Sequence, residues 1–194
     1  MKCSFNKGGW NENDFRYAYS PACFDRVSFR QEDNSIVNAK GKSLFGYEYI
    51  SILDKDSHKT GVIAKTECSF EKFGAPLIVF SDDITGNEKG EWIYGKHFEV
   101  VAYEEGINIW KIVPDPSRVE RPIRATLLAS KKFAIDADSQ ITIETEITET
   151  HIKSTVNGEY LEVEVEDLPK RDFWIGITAC EGINRFYSFS TEDK

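Results

Sequence analysis

Short runs rich in Val, Ile, Phe and Tyr, punctuated by Gly, Asn, Asp and Pro, predict an all-β protein built as a two-sheet antiparallel β-sandwich. Three observations carry that reading. The apolar runs recur along the chain at strand spacing, with no internal repeat or linker between them. Asn157-Gly158 lies between two such runs, and both residues accept the positive φ that a tight hairpin requires. No segment holds a helical apolar period for three turns, and the best helical candidate, Ala125 to Lys132, is short. The 194 residues suit one sandwich domain spanning 1–194.

The strands read in order. Tyr47 to Leu53, Gly61 to Phe70 and Ala75 to Ser81 form a succession. Lys96 to Tyr103 and Ile107 to Val113 make a hairpin around Glu105-Gly106. Gln140 to Thr148 precedes the pair His151 to Val156 and Glu159 to Val165, and the chain closes on Phe173 to Cys180 and Arg185 to Ser190.

The formal net charge of −9 makes a phosphate backbone an unfavourable partner, so nucleic acid is not expected. Arg118, Arg121 and Arg124 cluster, but Asp115 and Glu120 sit among them. No apolar stretch is long enough for a bilayer, and the first residues lack a signal-peptide core. The expectation is a cytoplasmic protein with no membrane partner. Cys3, Cys23, Cys68 and Cys180 form no Cys-x-x-Cys pair, so they are expected as reduced, mostly buried thiols. Asp54, Asp56 and His58 form one acidic turn and Asp82, Asp83, Asn87 and Glu88 another. Neither has calcium-loop spacing, and no metal or other cofactor is expected.

Side-chain alternation assigns faces. A two-residue turn at Asn157-Gly158 pairs Val156 with Glu159 and, further out, Lys153 with Glu162. Ile152, Leu161 and Val163 then face the core, and His151, Lys153, Glu162 and Glu164 face water. A turn at Glu105-Gly106 pairs Glu104 with Ile107, Tyr103 with Asn108, Val101 with Trp110 and Glu99 with Ile112. Phe98, Val100, Ala102, Ile107, Ile109 and Val113 share the core face. His97, Glu99, Val101, Tyr103, Asn108, Trp110 and Ile112 share the other.

That second face is neither a plain solvated face nor a second core. A Trp plane beside a carboxylate, an amide and an imidazole suits a sugar: the ring packs on C–H faces while the polar groups take hydroxyls. Tyr47 and Tyr49 of the preceding strand, and Glu67 with Lys65 of the next, are candidates to extend it. The competing reading is that the irregular stretch from Pro114 to Pro122 simply lids Trp110.

The early strand Cys3–Phe5, the turn Val156-Asn157-Gly158 and the closing run from Trp174 to Phe189, with Arg185-Phe186-Tyr187-Ser188-Phe189 at its end, resemble the concanavalin A-like lectin/glucanase superfamily. The resemblance implies a jelly-roll sandwich whose last strand packs beside the first and whose concave sheet binds glycans. It is a likeness of fold rather than of reaction. It also implies a test for catalysis, because glucanases of this class carry Glu-x-Asp-x-x-Glu on one concave strand. That motif is absent here. Glu162-Val-Glu164-Val-Glu166 alternates correctly but lies on a wet face, and Glu99 and Glu104 point to opposite faces. A retaining pair about 5–5.5 Å apart would have to join Glu99 to Glu67 or Glu181 from another strand. Glu181, near Arg185 at a strand end, is the second catalytic candidate, and Arg185 a ligand-binding one.

Three functions follow. One is a lectin-like protein that binds an oligosaccharide through His97, Tyr103, Asn108 and Trp110. Another is a glycoside hydrolase or other sugar-active enzyme on the same face, with Glu99 as one carboxylate. The last is an oligomerising scaffold, a homodimer that shields Trp110.

Overall fold

The computed structural model describes residues 1–22, 28–38, 49–71, 73–86 and 91–194. These form two sheets. The first contains β1 (Lys2–Ser4), β3 (Phe29–Gln31), β4 (Ile36–Asn38), β6 (Val62–Phe70), β13 (Ile141–Ile147), β14 (His151–Val156), β15 (Glu159–Glu164) and β17 (Asn184–Asp193). The second contains β2 (Phe15–Tyr19), β5 (Tyr49–Asp54), β7 (Ala75–Ser81), β8 (Ile84–Gly86), β9 (Trp92–Tyr94), β10 (His97–Tyr103), β11 (Gly106–Pro114), β12 (Ile123–Lys132) and β16 (Trp174–Cys180).

The first sheet runs β15-β14-β13-β6-β17-β4-β3, and β1 shares the β17 edge with β4. Lys2–Ser4 lie opposite Ser188–Ser190, so the closing strand packs beside the opening one, as the resemblance implied. The second sheet runs β12-β11-β10-β7-β16-β5-β2-β9-β8. Nearly all pairings are antiparallel; β2 with β9 is parallel.

Alternating inward residues of the two sheets meet in one apolar core. Phe80 and Phe98 stack at 5.2 Å between centroids, and Phe173, Phe186 and Phe189 are fully buried with Ile109, Ile143 and Ile177. Alternation dictates this layer. Each inward side chain removes apolar area from water, at about 25 cal/mol per Å².

The Asn157-Gly158 hairpin has the register that its turn requires, from Val156 opposite Glu159 to His151 opposite Glu164. Asn157 and Gly158 both have positive φ, 50° and 89°. Ile152 is buried, and Leu161 and Val163 pack against the core. Lys153 lies opposite Glu162, but the Glu162 carboxylate accepts the Tyr160 hydroxyl at 2.6 Å.

The other hairpin turns one residue earlier than the sequence reading places it. Tyr103 lies opposite Gly106, so Glu104 and Glu105 form the turn, and the pairs become Val101–Asn108, Glu99–Trp110 and His97–Ile112. Gly106 has φ +136°, and a Cβ there would meet the Lys131 carbonyl of β12. The tight approach of that neighbouring strand moves the turn. The new pairing displaces one strand against the other by two residues, so every residue keeps its face. Phe98, Val100, Ala102, Ile107 and Ile109 are fully buried, while Val113 is only half-buried.

Ala125 to Lys132 is not helical. It lies within β12, which pairs along the whole of β11 from Gly106–Lys132 to Pro114–Ile123. The unpaired edge of β11 offers a ladder of backbone partners, and that outweighs the weak helical preference of Ala-Thr-Leu-Leu-Ala.

Of the thiols, Cys68 is buried, and Cys3 and Cys180 are half-buried; Cys3 and Cys68 are free, and Cys23 lies outside the described residues. Burial, helped by the nearby Asp14 carboxylate, pushes the Cys3 thiol up to about 11. Burial alone holds Cys68 far above the ordinary thiol range.

The Asp54 turn is not a solvated one. Asp54 and His58 are buried and joined, Nε2 to Oδ2, at 3.0 Å. Burial would raise the Asp54 pKa. Hydrogen bonds from His58, the Asp56 amide and the Thr191 hydroxyl outweigh it and hold the carboxyl below its ordinary value. Among the described residues no cluster of His, Cys, Asp and Glu has the arrangement of a metal site, and no helix is long and apolar enough to cross a membrane.

Candidate functional site

The outward face of the second sheet holds the site. Alternation along β10 sends Phe98, Val100 and Ala102 to the core and leaves His97, Glu99 and Val101 on the outer side. There they meet Tyr49, Ser51 and Leu53 of β5, Leu77 and Val79 of β7 and Thr178 of β16, a second buried layer.

Strand order brings one row of residues into line across this sheet. Arg16 lies opposite Leu53, Leu53 opposite Gly176, Gly176 opposite Val79, Val79 opposite Glu99 and Glu99 opposite Trp110. At about 4.8 Å per strand, Arg16 and Trp110 stand about 24 Å apart at the two ends of the row.

Glu99 is 8% exposed. Its Oε1 accepts the Tyr49 hydroxyl at 2.8 Å, and His97 Nε2 lies 3.3 Å from the same oxygen. His97 Nδ1 is 2.9 Å from the Gly95 carbonyl, which can only accept, so Nδ1 carries a proton, and Nε2 faces the Glu99 carboxylate. The ring is wedged against Tyr94 at 4.6 Å and Tyr49 at 6.3 Å between centroids. Burial pushes the Tyr94 phenol far above its ordinary range; the nearby Ser51 hydroxyl opposes that rise and the Glu99 carboxylate adds to it. Beyond this cluster, Ser51 and Thr178 hydroxyls bond each other at 2.6 Å.

Four buried side-chain polar atoms among the described residues lack a hydrogen-bond partner, and three of them, Tyr94 Oη, His97 Nε2 and Asn108 Oδ1, belong to this one face. Each such atom costs about 1–3 kcal/mol when left unmatched. Two of the three lie against groups of the same face, Tyr94 Oη near the Ser51 hydroxyl and His97 Nε2 at 3.3 Å from the Glu99 carboxylate. Trp110, half-buried, packs on Ile112, Ile123 and Ala22. These neighbours belong to the start of β12, to β11 itself and to the segment before β3. Asp115 is tied to Ser117 and Arg124.

The structure brings together His97, Glu99, Asn108, Trp110 and Tyr49, with Tyr103 at the end of the same face. Tyr47 lies outside the described residues. Glu67 and Arg185 do not join them. Both stand on β6 and β17 of the opposite sheet, between inward-facing neighbours, so they point away from the sandwich on its other side. Glu67 is near Gln140, and Arg185 pairs with Glu32 and Glu71, each at 3.1 Å. Glu181 is exposed in a turn with φ +57°. Five residues of strand separate it from Gly176 in the Glu99 row, about 16 Å of extended chain, far beyond the spacing of a catalytic carboxylate pair. Glu99 is the one carboxylate on the described strands of this face.

A second feature was not visible in the sequence. At the other end of the row a cavity of about 490 Å³ is lined by Arg16, Tyr17, Tyr19, Lys55, Glu91 and Trp92, among others. Only the pairing of β2 with β5 and β9 places these residues together, and no local motif signals it.

Comparison with known folds agrees with this architecture. The chain is similar to a galectin-like protein of unknown function from Bacillus subtilis, with TM-score 0.68 and 10% identity over 100% of this chain and 94% of that one. It is similar to the carbohydrate binding module CBM66 from Bacillus subtilis, with TM-score 0.60 and 11% identity over 87% and 92%. A Bacillus licheniformis β-glucanase gives TM-score 0.62 and 13% identity over 100% and 97%. No family model and no curated protein matches the sequence. At these identities the likeness is one of fold. The fold is a jelly-roll β-sandwich, and it resembles that of the concanavalin A-like lectin/glucanase class.

Proposed function

We propose that the chain is a carbohydrate-binding protein whose ligand, an oligosaccharide, is held on the outer face of the second sheet around Glu99 and Trp110. The observation that supports this most is the Glu99 carboxylate, held by the Tyr49 hydroxyl, directly opposite the half-buried Trp110 of the neighbouring strand, with Asn108 Oδ1 unmatched on the same face. Sugar hydroxyls both donate and accept, so they can satisfy acceptors such as Glu99 and Asn108 Oδ1, while the indole covers a C–H face. The fold is shared with a carbohydrate binding module and with glucanases, which makes a sugar the natural ligand class. Binding without turnover is the better-supported form, since Glu99 has no second carboxylate within reach on the described strands. Isothermal titration against oligosaccharides from a glycan screen tests the proposal. Trp110→Ala should weaken binding by about 2 kcal/mol, roughly thirtyfold, in a folded protein. Unchanged affinity in a folded Trp110→Ala protein would remove this face from the function.

A further inference from the structure

The cavity at the β2–β9 end of the face has a chemistry of its own. Arg16 lies over the Trp92 ring, 4.4 Å from its centroid. Trp92 is fixed in turn by the edge of Trp174 at 5.2 Å and by packing with Ala18 and Leu53. The indole therefore holds the guanidinium in place at the cavity wall, and the stack leaves the edge of the fork, with its N–H donors, free to bond. Lys55 follows Leu53, the strand partner of Arg16, by two residues. It stands on the same face as a diagonal neighbour, about 7–8 Å away.

Neither cation makes a side-chain hydrogen bond or ion pair among the described residues. The cavity wall also carries two acids, Glu91 and Glu12, the latter facing the Tyr17 hydroxyl and, after burial, the next cause that raises that phenol. The result is a concave site with a planar cation stacked on Trp92 and a second cation beside it.

We propose that this cleft binds the carboxylate of an acidic sugar unit, a uronate, with Arg16 as the bidentate partner and Lys55 as the second cation. The inference rests on the saccharide reading of the face and adds a charge preference to it. A fork of two parallel N–H donors matches a carboxylate. The cleft is the far end of the Glu99 row, about 19 Å from Glu99 across four strand spacings. The Tyr49–Tyr94–His97 cluster stands between the two ends.

The test is calorimetric titration of the full chain with three probes: oligogalacturonate, a neutral β-glucan oligosaccharide, and a sulfated galactan oligosaccharide that lacks carboxylates. Each is measured on the wild type, Arg16→Gln, Arg16→Lys and Trp110→Ala, with thermal melts to confirm folding. Oligogalacturonate should bind more weakly as salt rises, lose at least tenfold in Arg16→Gln and recover only part of that in Arg16→Lys. The sulfated probe should bind more weakly than the uronate. Neutral binding that depends on Trp110 but not on Arg16, with no uronate preference, would overturn the inference and leave the saccharide reading standing. Uronate binding that Arg16→Gln abolishes and Trp110→Ala does not touch would uphold the cleft and overturn the Trp110 site. Tighter binding of the sulfated probe than of the uronate would overturn the carboxylate assignment. Failure of all three probes to bind would overturn both readings.

Discussion

The two hairpins β14–β15 and β10–β11 obey the same alternation rule and end with opposite outer faces. On β14–β15 the outward residues Lys153, Glu162 and Glu164 stand in water, and their polar atoms have solvent or Tyr160 as partners. On β10–β11 the outward residues His97 and Glu99 are buried, and their neighbourhood holds polar atoms without partners. The two outer faces thus differ in whether water reaches their polar groups, not in polarity itself. The cost of that arrangement in the free protein must be balanced by the core on the hairpin's other side.

The largest effect should come from that core side. Phe98→Ala, which removes the ring stacked on Phe80, should cost about 3–5 kcal/mol in chemical denaturation. A loss below about 1 kcal/mol would mean that β10 is not anchored as described.

Asp54 is the satisfied counterpart of Glu99: a buried acid whose oxygens are taken by His58, Thr191 and the Asp56 amide. Asp54→Asn should cost about 3 kcal/mol, because it leaves that network without its charge. The sign of the pH effect follows from the depressed folded-state pKa. The stabilisation is fully present above the ordinary carboxylate range and is lost as pH falls through the lower folded value. Wild type should therefore lose stability on acidification relative to Asp54→Asn. Parallel acid-unfolding curves for the two proteins would contradict this.

The turns give a smaller and more pointed contrast. Gly158 has φ +89° but open space around it, whereas Gly106 has φ +136° with the Lys131 carbonyl in the way of a Cβ. Gly158→Ala should cost about 1 kcal/mol from backbone strain alone, and Gly106→Ala at least about 2 because β12 must also move. Equal costs in urea melts would mean that β12 does not constrain the turn. The smallest change is expected at Lys153→Ala, within about 0.5 kcal/mol, since its partner carboxylate is already engaged by Tyr160.

How much of this the sequence carries follows from particular residues. The faces of β10 and β11 are legible even though the turn is misplaced by one residue, because the mispairing displaces the strands by two and side chains alternate with period two. Alternation assigns a residue to one side of its strand but not its strand to a sheet. Glu67 and Arg185 are therefore outward as read, yet on the wrong sheet for the site. Arg16 gives no local signal, because its alignment with Glu99 passes through β5, β16 and β7, which are distant in sequence. Ala125 to Lys132 shows the same limit, since its conformation is set by the free edge of β11 rather than by its own residues.

The central claim is that the Glu99–Trp110 face, and not merely some aromatic surface, takes the sugar. The four tryptophans allow a direct measurement, because each indole N–H gives one nuclear magnetic resonance signal. Trp10 serves as an internal control: it packs on Phe5 and Phe15 at the core side, away from the outer face, and donates to Gln31. Titration with a neutral oligosaccharide that binds should move the Trp110 indole signal progressively, leave Trp10 still, and lose its effect in Glu99→Gln. A shift confined to Trp10, or a Trp110 signal that stays fixed while calorimetry reports binding, would contradict the account.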